Sequence, residues 1–469
     1  MTIQAELPSR AGRSRAYSLS PEFKAFIARL HFYAGLFVGP FILVAALTGT
    51  LYVVTPQIET WLYREQLTTA SIGQPASLSA QAAAARAHIG EGPRLFAVRP
   101  AEAAGSTTRI MFWEAGLGDS ESRAIFVDPV SLEVKGDLVV YGTSGTLPFR
   151  TALDYLHRNL MLGEFGRNYS ELAASWLWAI VLGGVLMWVW RRRPDSAERA
   201  RRSPSLRTRR WHGLIGLWLS LGLVFLSVTG LTWSRYAGER IDALRAQLNW
   251  VTPSVTTKLG AAPPSAGEDH SGHGMAPETA APLPAAADRL DAVLGKAREA
   301  GIDSAFVELR PPRGEGLAWL VREYDRSWPT QVDTITLDPR DLSVTSRADF
   351  ETFPLVAKLI RWGIDAHMGV LFGVPNQLLM AALGLLLMVA TILGYRIWWR
   401  HRPAPGAMPR TVAQAWTRLH PLAAAGTVVS AIALGWALPL LGLSLAAFML
   451  VDLARWQLAR RLQTAKTGR

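Results

Sequence analysis

Along the 469-residue chain, long apolar runs alternate with stretches of mixed polarity. A helix needs about 20 apolar residues to cross a bilayer. Runs of that length fall at 32–54, 172–190, 213–233 and 376–399, and a greasy stretch at 419–455 has room for two shorter spans meeting near Pro439. The first run is too long, and starts too late, for the core of a cleavable signal peptide, so it reads as a permanent anchor. Arginine and lysine gather at the ends of these runs: in the N-terminal arm, in "WRRRP" after Trp190, in a 191–210 linker with nine arginines, in "WRHRP" after Trp399, and in the tail. With six spans all of these lie on one side, which the positive-inside rule makes cytoplasmic.

The expected organisation follows. A cytoplasmic arm covers 1–30, the first span 31–54, and an outer segment 55–171 leads to the second span at 172–190. A basic linker (191–210) and the third span (211–233) precede a second outer segment, 234–375. The fourth span (376–399), a linker (400–418), a hairpin of spans (419–455) and a cytoplasmic tail (456–469) complete the chain.

The outer segments change period. Each has a helical stretch, "SLSAQAAAARAHIG" or "AAADRLDAVLGKAREAG", followed by short alternating runs such as "TRIMFWEAG" and "LAWLVREY". A helix followed by hairpins predicts an α+β module in each segment. Residues 253–284 are rich in Pro, Ala, Gly and Ser, and read as a disordered insert. Within it, "EDHSGHGMAPE" holds His270, His273 and Met275. Donors of that kind suit loosely held copper or iron, and a solvated linker is the alternative.

Composition narrows the chemistry. Apolar residues make up 49% of the chain, yet its net charge is +12, which agrees with charge confined to loops of a membrane protein. Nucleic acid is the other reading of so much arginine, but the positive-inside rule already accounts for it. Cysteine is absent. Disulfides, thiolate-ligated zinc, iron–sulfur clusters, covalently attached haem and cysteine nucleophiles are therefore excluded. Neither a flavin nor a nicotinamide fingerprint is visible.

The chain also repeats itself. "HFYAGLFVGPFILVAALTG" aligns without a gap with "HGLIGLWLSLGLVFLSVTG", and "FVDPVSLEV" matches "TLDPRDLSV". Asp128 precedes His157 by 29 residues, and Asp338 precedes His367 by the same 29. The unit is span, outer module, outer histidine, span. Parallel repeats are related by an axis along the membrane normal. His31 is thereby paired with His212, and His157 with His367, at two depths. His157 and His367 lie in amphipathic stretches just before the second and fourth spans.

Ionisable residues in a membrane are costly and are functional candidates by default. Two imidazoles facing each other across an axis can hold one planar iron porphyrin from both sides, and bundle cores commonly host such groups. Zinc would want four ligands, and each pair offers two. Gly35 and Gly216 come four residues after His31 and His212, on the same helix face, and leave room for a flat ring. Close packing through the Gly35/Gly39 pair is the alternative. Thr48-Gly49 and Thr229-Gly230 begin 17 residues after the inner histidines, about 25 Å along a helix. That places them near the outer pair, where they offer a second ring space and a hydroxyl donor, or simply pack helices.

"RLHFYAGLFVGPFILVAALTGTLY", "FVDPVSLEV", the outer histidines and "WRHRP" together resemble the PepSY-associated transmembrane family of bacterial inner-membrane proteins. The resemblance spans roughly residues 24–403. It implies a mainly helical membrane protein with a duplicated four-helix core, two periplasmic PepSY-like modules and two bis-histidine b haems on His31, His212, His157 and His367. The family includes ferric-siderophore reductases, so it implies electron transfer outward to a periplasmic ferric chelate. Quinol or a separate cytoplasmic reductase would be the donor. A haem-free transporter with a histidine proton relay, and a PepSY-type sensor or assembly protein, are the other expectations. His420 lies outside the repeat and reads as a surface histidine; His401 of "WRHRP" is a further imidazole near the inner face.

Overall fold

In the computed structural model the described residues are 20–118, 120–190, 203–260, 284–402 and 411–467. The molecule is mainly helical, with one antiparallel sheet. Its helices are α1 (Pro21–Val53), α2 (Thr55–Leu62), α3 (Arg64–Leu67), α4 (Leu78–Ile89), α5 (Pro148–Asn159), α6 (Gly163–Val189) and α7 (Pro204–Leu231). They continue with α8 (Tyr236–Gln247), α9 (Leu290–Glu299), α10 (Leu355–His367), α11 (Val374–His401), α12 (Val412–Trp416), α13 (Pro421–Ala437) and α14 (Pro439–Thr467).

Five helices, α1, α6, α7, α11 and α14, are long and apolar enough to cross a membrane, which makes this a multi-pass membrane protein. Helix α13, with 17 residues, is the shorter apolar partner of α14. The spans extend beyond their apolar runs because of their caps. Ser20 accepts the Phe23 N–H and Ser203 the Leu206 N–H, each with proline in the first turn. A hydroxyl acceptor followed by proline starts a helix efficiently. His31 and His212 therefore sit well inside helices rather than at their heads.

Helices α1, α6, α7 and α11 form a four-helix bundle in which α1 and α7 each pack against both α6 and α11. Ala34, Val38, Ile42, Leu177, Leu223 and Leu387 are among its buried core. Gly39 lets Tyr395 approach; a Cβ there would lie 2.8 Å from the tyrosine oxygen. Helix α14 packs on α6, with Trp176 Nε1 donating to Ser444 Oγ at 2.9 Å.

The strands are β1 (Arg94–Arg99), β2 (Thr108–Trp113), β3 (Glu121–Val127), β4 (Val134–Tyr141), β5 (Val307–Arg310), β6 (Trp319–Glu323), β7 (Thr334–Leu337) and β8 (Val344–Ala348). Two separate modules are expected from the sequence; the strands instead share one eight-stranded sheet, ordered β4-β3-β2-β1-β5-β6-β7-β8. β1 and β5 meet antiparallel at Val98 and Leu309. Pairing two edges satisfies backbone groups that separate modules would leave open. One face carries Val98, Ile110, Ile125, Leu309 and Val321 against Leu78, Ala82, Leu290 and Val293 of α4 and α9. The other carries Ala97, Met111, Ala124 and Phe126, covered by Leu147, Tyr63 and Leu67.

The matching Asp-Pro motifs are turns. Asp128 Oδ1 accepts the Val130 N–H at 2.8 Å, and Asp338 Oδ1 accepts the Arg340 N–H at 2.8 Å. Each turn closes through a left-handed leucine, Leu132 (φ 62°) or Leu342 (φ 59°).

Residues 253–260 of the expected insert are ordered. Residues before 261 lie against the sheet, with the Ala318 N–H donating to Thr257 O at 2.7 Å and Lys258 bridging Leu317. His270, His273 and Met275 lie outside the described residues.

Candidate functional site: two pairs of half-buried histidines

The four histidines fall in two pairs along the bundle. The far-side pair, His31 and His212, projects from the diagonally opposed α1 and α7. Their ring centroids are 6.3 Å apart and the ring planes cross at 73°. His31 Nδ1 lies 2.8 Å from Ile180 O, and His212 Nδ1 lies 2.9 Å from Ala390 O. A carbonyl oxygen can only accept, so Nδ1 carries the proton in both rings. Nε2 is then unprotonated and available to ligate.

This spacing suits one metal ion between the rings. Two metal–nitrogen bonds of about 2 Å, plus roughly 1 Å from each nitrogen to its ring centre, add to about 6 Å. A crossing angle between the rings does not disturb such an arrangement, since both planes can contain the ligand axis. Among the described residues no three His, Asp or Glu side chains converge, so four-ligand zinc chemistry has no donor set there.

The sheet-side pair, His157 and His367, comes from α5 and α10, the short helices that link sheet to bundle. Thr48 Oγ1 donates to Val44 O at 2.8 Å and lies 3.0 Å from His157 Nδ1. Thr229 Oγ1 donates to Phe225 O at 2.7 Å and lies 2.7 Å from His367 Nδ1. Each hydroxyl has one proton, already given to the carbonyl a turn below. With its proton there it can accept from Nδ1–H, which leaves Nε2 free as in the far-side pair. Burial lowers the pKa of both imidazoles, that of His367 to about 4, so both are neutral and able to ligate. Both rings line one cavity of about 210 Å³, together with Tyr52, Asp154, Arg158 and Met368.

The glycines divide by role. A Cβ on Gly35 or Gly216 would meet no atom within 4 Å, so open space lies beside the far-side rings, as a flat ligand requires. Gly49 instead makes way for an imidazole, since a Cβ there would stand 3.0 Å from His157 Cε1, whereas a Cβ on Gly230 would be in ordinary contact, 3.9 Å from His367 Cε1. Thr48 and Thr229 face the imidazole Nδ1 atoms of His157 and His367. Sequence reasoning missed Gly184 and Gly394, whose Cβ would lie 3.2 Å from His31 Cε1 and 3.5 Å from His212 Cε1. Each stands four residues after the carbonyl that binds the same histidine.

His420 and His401 lie outside the two pairs. His420 is exposed and caps α13, accepting the Leu422 N–H. His401 is exposed, with Nδ1 on Ile397 O of its own helix.

The PepSY-associated TM region family matches residues 28–401, from just before His31 to the end of α11. The chain belongs to that family. Among curated proteins none matches it. The matched region contains both histidine pairs and the whole sheet, and stops short of the α12–α14 extension.

Proposed function

We propose that this PepSY-associated membrane protein is an internally duplicated di-haem b oxidoreductase, passing electrons across the bacterial inner membrane to a periplasmic ferric chelate such as a ferric siderophore. The observation that carries the reading is the His31–His212 pair: opposed rings 6.3 Å apart with both Nδ1 protons committed elsewhere. Bis-histidine ligation of a b haem asks for that geometry. When bound, the two haems supply reversible one-electron chemistry at two depths of the bilayer.

The protein supports that chemistry in three ways. The carbonyls of Ile180 and Ala390 and the hydroxyls of Thr48 and Thr229 fix tautomer and ring direction, a device that orients metal-bound histidines generally. Helix α1 carries a contact for each site, at His31 and Thr48, and so sets their separation at about 25 Å along its axis. The sheet stands over the second site, on the side assigned to the periplasm with both termini in the cytoplasm. Reducing ferric iron there weakens its hold by hard oxygen ligands and frees it for uptake. Quinol or a cytoplasmic reductase is the proposed donor.

A histidine proton relay would want ring-to-ring hydrogen bonds. These four rings end on carbonyls and threonines instead, which favours ligation. Protein purified from haem-supplied cells should show a b-type reduced-minus-oxidised spectrum with two haems per chain. A colourless product would reject the assignment.

A further inference from the structure

The two sheet-side histidines sit on different helices, α5 and α10, yet must be held in register. One side chain touches the support of both. Arg326, in the hairpin between β6 and β7, is only 13% exposed. Its Nε donates to Asp365 Oδ1 at 2.5 Å, its Nη1 to Ser144 Oγ at 3.0 Å and its Nη2 to Met368 Sδ at 3.2 Å. Asp365 and Met368 flank His367. Ser144 lies in the turn that runs into α5, the helix of His157.

Arginines of the sheet grip the same turn. Arg99 donates to Ser144 O at 2.8 Å and Thr143 O at 2.7 Å, Arg322 to Thr143 O at 3.0 Å and Arg109 to Gly145 O at 3.2 Å. Arg326 joins this turn to α10. The β2–β3 hairpin of the first half, "EAGLGDS", has no arginine. The device is single, and comparison of the two halves does not reveal it.

We propose that Arg326 is a positioning residue that sets the two sheet-side imidazoles in line across their cavity. A planar guanidinium can serve three acceptors in fixed directions, whereas a lysine ammonium is a point charge on a flexible stem. The function therefore depends on the fork and not on the charge. Supporting groups of this sort typically change metal affinity about 10–100-fold when lost.

This inference rests on the di-haem reading, and the test separates the two. Full-length Arg326→Gln and Arg326→Lys proteins are purified from haem-supplied cells, reduced and exposed to carbon monoxide, which binds only where an axial imidazole has let go. The unaltered protein should show almost no carbon monoxide spectrum. Both variants should show one in a single haem, at least about 10-fold above the unaltered protein, with the haem held by His31 and His212 unchanged. Ser144→Ala, which removes one of the three contacts, should give a smaller response and serves if the arginine variants do not accumulate. Variants that keep two haems and bind no more carbon monoxide than the parent overturn the role of Arg326. Unaltered protein without haem overturns the underlying reading instead.

Discussion

Thr229 Oγ1 stands 2.7 Å from Nδ1 of His367, with its own proton on Phe225 O. The imidazole thus gives its N–H to a hydroxyl that has nothing left to donate. Giving up that proton partway makes Nε2 a stronger base and favours the ferric state of a bound iron. Thr229→Val removes the acceptor and keeps the shape. The reduction potential of the sheet-side haem should rise by roughly 40 mV, taking the hydrogen bond as about 1 kcal/mol at 59 mV per tenfold change. Thr48→Val should act in the same direction through His157, and Thr229→Ser should restore the original value. A redox titration followed in the visible band reads this directly; equal potentials in all four proteins would show that the hydroxyls do not tune the site.

The histidine variants should separate by pair. His157→Ala or His367→Ala removes the sheet-side haem, leaving one per chain; His31→Ala or His212→Ala removes the far-side haem. The pairs are independent because each ring's second nitrogen is anchored within its own level, on Thr48, Thr229, Ile180 or Ala390. Haem content by extraction, set against protein concentration, checks it. Two haems surviving every single and double change would refute the ligand assignment.

Much of this site is legible in the sequence, for a physical reason. Repetition puts His31 on His212 and His157 on His367 before any coordinate is known, and the span pattern places them at two depths. The Asp-Pro pairs repeat as well, but Asp128 and Asp338 only close turns around Leu132 and Leu342, so repetition alone does not mark chemistry. What the sequence hides lies between elements far apart in the chain. Gly184 and Gly394 matter because another helix lays an imidazole on them, and no local pattern announces that. Arg326 looks like any loop arginine until folding brings Ser144 and Asp365 to its two sides. The union of β1 with β5 is hidden because each strand alone is an ordinary edge.

Gly184→Val places branched methyls where His31 Cε1 already leaves a Cβ only 3.2 Å. The ring must turn off its axis, so the far-side haem should be lost while the sheet-side haem remains. Gly35→Ala is the matched control, since its Cβ enters open space; Gly35→Trp fills that space and should again cost the far-side haem. Visible spectra of the three proteins decide this. Full occupancy in Gly35→Trp would mean that the flat ring lies elsewhere.

Glu308 supplies a stability prediction independent of any cofactor. It is wholly buried at the β1–β5 seam, bonded to Arg99 at 2.7 Å, Arg310 at 2.7 Å and Arg322 at 2.9 Å. Burial disfavours the carboxylate, but Arg310, Arg322 and Arg99 outweigh it and hold its pKa below the usual range. Glu308→Gln strands three guanidinium groups, and breaking a buried pair in this way costs about 3–5 kcal/mol. A carboxylate with a depressed folded pKa stabilises fully above its unfolded value, about 4.3, and loses that contribution as pH falls towards the folded value. The thermal midpoint of Glu308→Gln should therefore lie well below that of the parent at about pH 7, and the gap should narrow by about pH 3. A gap of equal size at both pH values would show that the charge of Glu308 is not what binds the two halves of the sheet.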